Sequence, residues 1–421
     1  MKKLFTVLAM LCVALSLFAN GQSEAAAPEG PVTIKVANYA LLESGYEAFW
    51  KGVKTGFEAA HPEYQIEWVT APYGEIVNTV INMAGGGDKV DVIFGESSWV
   101  PGFEDAGLAC PITDVLSESF VKEFYPSVLD TMAIDGVPYG VPLYITPYIL
   151  YYNTELFKQA GLDPNTPPTT YDEMLEYAGK LSKLKDKNGN KIYAFGQTTA
   201  SVPVSGSALT SMIFNFGGDI LTADGKLSVD NQGFHDAFEM LALLDEKGYN
   251  PQNAKLKDLR NLFALGQLAM YCDQSWGFNG VQSINPDAKT FTRSGAPLKG
   301  GNGDGVANLS AHAFILVDNG PARREATDAF VQYVISKDVL SEYLTTITPA
   351  FPAKTGMDGM VSEILAGAAP SVANVKSPTS IPQLSDINLE LCTLAQGVTV
   401  SNKDVDVAIA EFVKNASLKL Q

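Results

Sequence analysis

Apolar and polar positions along the chain alternate between two periods. Val32-Thr-Ile-Lys-Val36 changes character at every second residue, which predicts a strand with one buried face. Tyr46, Phe49, Trp50, Val53 and Phe57 then recur at helical spacing, so a helix follows. Tyr64 to Val69 predicts a second strand. Ile76 to Ala84 predicts a second helix, ended by Gly85-Gly86-Gly87, because glycine supplies the backbone freedom a helix end needs. Asp91-Val-Ile-Phe94 is short and apolar, as in strands of parallel sheets covered on both faces. Further strands are predicted at 149–153, 191–196, 268–272 and 313–317. Thr170-Tyr-Asp-Glu173 is a capping box opening a helix with Met174, Leu175, Ala178 and Leu181 inward. Ala326, Phe330, Val331 and Val334 mark another helix. Strands alternating with helices predict an α/β architecture with open sheets.

The N-terminus follows a different pattern. Met1-Lys2-Lys3 is basic, Leu4 to Phe18 is almost uninterruptedly apolar, and Ala19-Asn-Gly-Gln-Ser23 is small and turn-prone. This order predicts a signal peptide over residues 1–19, since the run is shorter than the roughly 18–20 residues that span a bilayer. Cys12 lies inside the run after Leu11, which argues against lipidation. Residues 20–30 predict a flexible leader of small residues. The chain is therefore expected to work outside the cytoplasm, in the periplasm or another extracytoplasmic space.

Charge narrows the partners. The formal net charge of −18 becomes more negative once Lys2 and Lys3 are removed, which disfavours nucleic acid and anionic membranes. Cys110, Cys272 and Cys392 are widely spaced, with no C-x-x-C and no nearby His cluster. Metal and redox motifs are therefore absent, and either one disulfide or three thiols is compatible with the spacing. The chain has three histidines, His61, His235 and His312, and none sits in a nucleophile signature; there is no G-x-S-x-G. No catalytic residue and no cofactor is assigned. An exported carbohydrate-active enzyme needs only two carboxylates, so it stays as an alternative. Gly85–Gly87 and Gly300–Gly305 do not continue into G-K-[ST] and are not phosphate loops. Asp186-Lys-Asn-Gly-Asn190 starts like a calcium loop, but Lys191 and Gln197 stand where glycine and glutamate are required.

Among the four tryptophans, Trp50 and Trp68 sit on apolar faces. Trp99 and Trp276 instead follow strands directly, in Phe94-Gly-Glu-Ser-Ser-Trp99 and Cys272-Asp-Gln-Ser-Trp276. Loops after the carboxyl ends of strands line ligand crevices in open α/β sheets. An indole there either stacks on a ligand or closes the loop as a half-buried aromatic. Gly136-Val-Pro-Tyr-Gly-Val-Pro142 and Gly300–Gly305 are either lobe crossings or ordinary surface loops.

Read in order, these segments resemble the family 1 extracellular solute-binding proteins, the sugar-binding subunits of ABC importers. The resemblance is carried by Val90-Asp-Val-Ile-Phe94, Ala106-Gly-Leu108 and Pro111-Ile-Thr-Asp114, and by Asp135-Gly-Val-Pro-Tyr-Gly-Val-Pro142 with Tyr151-Tyr-Asn153, Leu156-Phe157 and Ala160-Gly-Leu162. It continues through Phe214-Asn-Phe-Gly-Gly218, Phe263 to Met270 with Trp276, and Ile381-Pro-Gln383. It implies the type II periplasmic-binding-protein fold, two hinged α/β lobes with a ligand cleft between them. Lobe one would comprise 31–143 plus 308–346, and lobe two 147–304 plus 349–421. By position, Tyr39, Glu43, Ser97, Ser98 and Trp99 would face the cleft from lobe one. Tyr144 and Thr146 would lie at the hinge. Gln274, Trp276 and Asn279 would answer from lobe two, with Asn302 and Phe351. Trp276, with Trp99 or Tyr39, would stack on a sugar, while Ser97, Ser98, Gln274, Asn279 and Glu96 or Asp273 would take its hydroxyls. Tyr144-Ile-Thr146 stands where an acidic residue is common, which points to a mono- or disaccharide. The resemblance also implies a monomer that docks on membrane permease subunits. Glu43, Glu96 and Asp273, with no Lys or Arg in the same segments, disfavour an anion and keep a polyamine or other small cation as the alternative ligand.

Overall fold

The alternation becomes two mixed sheets in the computed structural model, which describes residues 30–43, 45–379 and 381–420. The predicted signal peptide, and the leader up to residue 29, lie outside the described residues. Strands β1 (Val32–Asn38), β2 (Tyr64–Val69) and β3 (Val92–Glu96) run parallel, joined by helices Glu47–Ala60 and Ile76–Gly85. The hairpin β4 (Ala133–Ile134) and β5 (Val137–Pro138) precedes β6 (Gly140–Ile145). Then come β7 (Tyr148–Asn153), β8 (Tyr193–Gly196), β9 (Leu268–Gln274), β10 (Thr292–Gly295) and β11 (Ala307–Asn308). The last are β12 (Ala311–Leu316), β13 (Phe351–Pro352) and β14 (Val375–Lys376). The first sheet has the order β13-β6-β12-β3-β1-β2 and the second β10-β7-β9-β8. The two lobes are built on these sheets.

Every predicted strand is present, with ends shifted by at most two residues. The apolar β3 is central, as its sequence requires, but β12 joins it antiparallel, so the sheet is mixed. Strand β6 was not legible, because its segment reads Gly-Val-Pro. It forms because Pro142 falls where the β6–β12 register shifts at His312/Ala313, a bulge that tolerates a residue without an N–H.

Chain crossings between the lobes are short. β6 ends in the first sheet at Ile145, and β7 begins in the second at Tyr148. The return runs from β11 into β12. Thr146 ties the two passages together, its backbone N–H and Oγ1 both donating to Ser310 O at 2.7 and 2.8 Å. The loop Gly300–Gly305 is not a crossing. Its glycines pack on lobe two, where a Cβ on Gly300 would come within 2.5 Å of the Phe216 ring and one on Gly303 within 2.2 Å of Asn215 O. Phe351 and Pro352 pair with Ile145 and Tyr144 in the first sheet, which corrects the assignment of that strand to lobe two.

The core follows the sheets. Val92, Ile93, Phe94, Phe314 and Trp50 are buried in the first lobe, and Leu150, Phe157, Phe195 and Phe238 in the second. Cys110, Cys272 and Cys392 are unpaired thiols. Burial pushes Cys272 up to about 12 and Cys110 and Cys392 to about 11, so all three stay protonated at neutral pH. Among the described residues no helix is long and apolar enough to cross a membrane.

Candidate functional site

Strand ends of both lobes converge on a cavity of about 450 Å³, inside the about 300–1,000 Å³ range of small-molecule sites. Lobe one contributes Tyr39, Ala40, Glu43, Tyr46, Tyr73, Glu96, Tyr144, Ser310, His312, Tyr343 and Thr348. Lobe two contributes Gln274, Trp276, Asn279 and Gly280. A larger and more open groove of about 580 Å³ lies elsewhere on lobe two, along Asp236, Glu239, Asp245, Glu246 and Lys403. It has no partner wall from lobe one, so the cleft between the lobes is the better candidate.

Tyr39 stands at the carboxyl end of β1, where the Asn38 side chain accepts from Ala40 N at 2.9 Å and turns the chain. Its hydroxyl is hydrogen-bonded to His312 Nε2 at 2.8 Å. The imidazole lies flat on Tyr144, with centroids 4.9 Å apart and planes 14° apart. Thr348 Oγ1 donates to the Tyr46 hydroxyl at 2.8 Å. Burial raises the phenols of Tyr39, Tyr144 and Tyr343 well above the ordinary tyrosine value, so this wall presents neutral hydroxyls. Glu96, at the end of β3, accepts from Tyr73 Oη at 2.8 Å and from Ser98 Oγ at 3.3 Å. Across the cavity, Asn279 Nδ2 donates to Ile347 O at 3.3 Å and bridges the lobes.

The lining thus holds two carboxylates, Glu43 and Glu96, and no Lys or Arg. Buried and half-buried rings meet hydroxyls and amides, which suits a ligand with one apolar face and several hydroxyls. Among the described residues no group of three or more His, Cys, Asp or Glu is placed to hold a metal ion.

Of the residues singled out in the sequence, Tyr39, Glu43, Glu96, Tyr144, Gln274, Trp276 and Asn279 meet in this cavity. The others do not line it. Ser97, Ser98 and Trp99 form a single turn after β3, and the Trp99 ring packs against Gly95, where a Cβ would come within 2.2 Å of it. Trp99 therefore closes its loop, with Tyr39 and Tyr73 at 6.0 and 5.5 Å. Thr146 is buried in its bonds to Ser310. Phe351 is buried in the first sheet, and Asn302 is exposed on the glycine loop beside Phe216. Asp273 is 0% exposed and spent on structure: Arg260 Nε and Nη2 donate to it at 2.6 and 2.8 Å, and Gln274 N at 2.8 Å. Burial raises its carboxyl, and Arg260 opposes that shift.

Tyr46, Tyr73, Ser310, His312, Tyr343 and Thr348 were missed. Tyr46 read as an apolar helix position and His312 as a residue beside a strand. Only its pairing opposite Glu96 on β3 and Tyr144 on β6 puts His312 at the cleft.

Burial lowers the His312 pKa below its ordinary value, against a smaller upward pull from Glu96. A depressed histidine stays neutral when folded while the unfolded chain takes up a proton, so stability falls as pH drops through about 6.5. The neutral groups facing His312 are Tyr39 and Tyr144, and the charged one is Glu96. Urea unfolding from pH 7.5 to 5 is expected to show this acid loss, and His312→Gln is expected to flatten it. An unchanged slope in the variant would assign the loss to other groups.

A family model described as bacterial extracellular solute-binding protein matches residues 39–340. A binding protein of Brucella abortus is 25% identical over 282 residues, 66% of this chain and 66% of its own length. The chain thus spans about two thirds of that curated relative. The sn-glycerol-3-phosphate-binding periplasmic protein of the same species is 27% identical over 183 residues, 42% of this chain and 41% of its own. The cyclic alpha-maltosyl-1,6-maltose binding protein from Arthrobacter globiformis shares the fold. Its crystal structure superposes with a TM-score of 0.79 at 19% identity, over 93% of this chain and 100% of that one.

Proposed function

Because the chain belongs to the bacterial extracellular solute-binding proteins, we propose that its cleft captures an uncharged sugar or polyol of mono- to disaccharide size for delivery to an ABC importer. The observation that carries this reading is the composition of the cavity. Trp276 and the tyrosines offer apolar faces, Gln274, Asn279, Glu43 and Glu96 accept or donate hydrogen bonds, and no lining side chain is cationic. Buried hydroxyls are costly unless paired, so such a wall can discriminate between epimers. The Brucella relative named for sn-glycerol-3-phosphate is a poor guide to this ligand, since a phosphate would face Glu43 and Glu96 with no neutralising partner.

A second reading keeps the site and changes the ligand. Two carboxylates among aromatic rings also suit a polyamine or another small cation. Isothermal calorimetry with maltose, glucose and mannitol, beside spermidine and sn-glycerol-3-phosphate, separates the cases. A neutral sugar or polyol is expected to bind, with little dependence on salt. Salt-sensitive binding of spermidine alone would favour the cation, and binding of the phosphate would overturn both readings.

Residues 1–19 act as a signal peptide in this scheme, and the chain works as an extracytoplasmic monomer that presents its closed form to membrane permease subunits. Its family is one of binding proteins, and we assign it no catalytic residue. Turnover of oligosaccharides by the purified protein would overturn that assignment.

A further inference from the structure

Arg260 lies outside the cavity, on helix Leu256–Ala264, yet it reaches the lobe-two wall. The guanidinium edge is bound by Asp273, and its central carbon lies over the Trp276 ring, 4.5 Å from the ring centroid. A planar fork can do both at once, which lysine cannot. The guanidinium therefore lies against one face of the indole.

The surrounding backbone is shaped around this unit. A Cβ on Gly277 would come within 2.2 Å of Asp273 Oδ2, and one on Gly280 within 2.9 Å of Arg260 Cδ. The helix Gly277–Ile284, which carries Asn279 and Gly280 into the cleft, comes this close because Gly277 and Gly280 lack side chains. Asp273 also holds the Gln274 N–H. One buried ion pair therefore touches Gln274, Trp276 and Gly280, most of the lobe-two wall. A buried pair is a weak source of stability compared with apolar residues of the same volume, which turns attention to what it orders.

Resting on the reading of the cleft as the binding site, we propose that Arg260 is a positioning residue. Clamped by Asp273, it holds the Trp276 indole in its ligand-ready orientation before the ligand arrives. The ordering of a large side chain is then completed during folding instead of opposing binding. A cation behind the ring also makes the indole less attractive to a second cation, so the clamp favours neutral ligands.

The test uses the full protein labelled with 5-fluorotryptophan, with the Trp276 ¹⁹F resonance assigned by its loss in Trp276→Phe. Arg260→Met/Asp273→Asn removes both charges and strands neither, and Arg260→Lys keeps a cation without the fork. In the double variant the Trp276 resonance is expected to shift and broaden while those of Trp50, Trp68 and Trp99 hold. Affinity for the probes maltose, glucose and mannitol is expected to fall about three- to tenfold, with Arg260→Lys in between. An unmoved Trp276 resonance in both variants, or undiminished probe affinity in the double variant, would overturn the proposal. Collapse of all four resonances in both variants would also overturn it, by making Arg260 a folding residue. If no probe binds the wild type, the sugar reading fails and the resonance alone decides the positioning role.

Discussion

Trp276→Ala is expected to weaken binding of the best of maltose, glucose and mannitol by about 30-fold or more while leaving the unliganded fold intact. The indole is half-buried at the wall of the cavity and belongs to neither core cluster, so removing it opens no void in the core. It is also the largest apolar surface that lobe two offers. Truncating an aromatic anchor in a binding site costs on the order of 2–4 kcal/mol, and each 1.4 kcal/mol is about tenfold. Calorimetry reads the affinity, and thermal unfolding without ligand reads the fold. Trp99→Ala is the contrast, because that ring is packed on Gly95 and does not line the cavity. Equal losses in the two variants, or an affinity within twofold of wild type in Trp276→Ala, would remove Trp276 from the site.

Asp273→Ala has the largest expected effect on stability. The substitution leaves the Arg260 guanidinium, itself 13% exposed, without the carboxylate that binds two of its nitrogens. Breaking a buried pair from one side costs about 3–5 kcal/mol, because an uncompensated charge stays in the interior. Urea unfolding is the measurement, and the midpoint is expected to fall with little change in slope. Ligand affinity alone would mislead here, since an unstable lobe two also binds poorly. A midpoint close to wild type, combined with lost affinity, would return Asp273 to the role of a ligand contact.

The case of Asp273 shows where sequence reasoning stops. A carboxylate at the end of a strand, with Gln, Ser and Trp after it, has the pattern of a ligand contact. Its partner lies 13 residues earlier, on a helix that the pattern did not relate to it. Glu96 sits in the equivalent place in lobe one and does line the cavity, where it accepts from Tyr73 and Ser98. The two carboxylates differ in what folds back onto them, and that is a long-range fact.

Strand ends were legible as sites because the βα alternation places the residue after each strand at a crevice. Glu96, Gln274 and Trp276 follow from that rule, whereas Tyr39 followed from the family resemblance. Trp99 obeys the same rule and fails it, because Gly95 opens a slot into which its ring folds. Tyr343 and Thr348 follow no strand end. They come from a wide turn, Tyr343–Ile347, and the residue that caps it, whose place at the cleft depends on how the last lobe-one helices pack.

By itself, the sequence determined the α/β alternation and the position of each predicted strand to within two residues, and its resemblance to the solute-binding proteins pointed to seven of the fifteen residues that line the cleft. The strands and helices rest on local periods, 2 and 3.6, which neighbouring residues carry. Only the tertiary structure decided that a Gly-Val-Pro segment completes the first sheet, that Phe351 joins that sheet, and that Asp273 serves Arg260. Each of these depends on partners distant in the chain. Their energies come from burial and paired charges that exist only once the two sheets have formed.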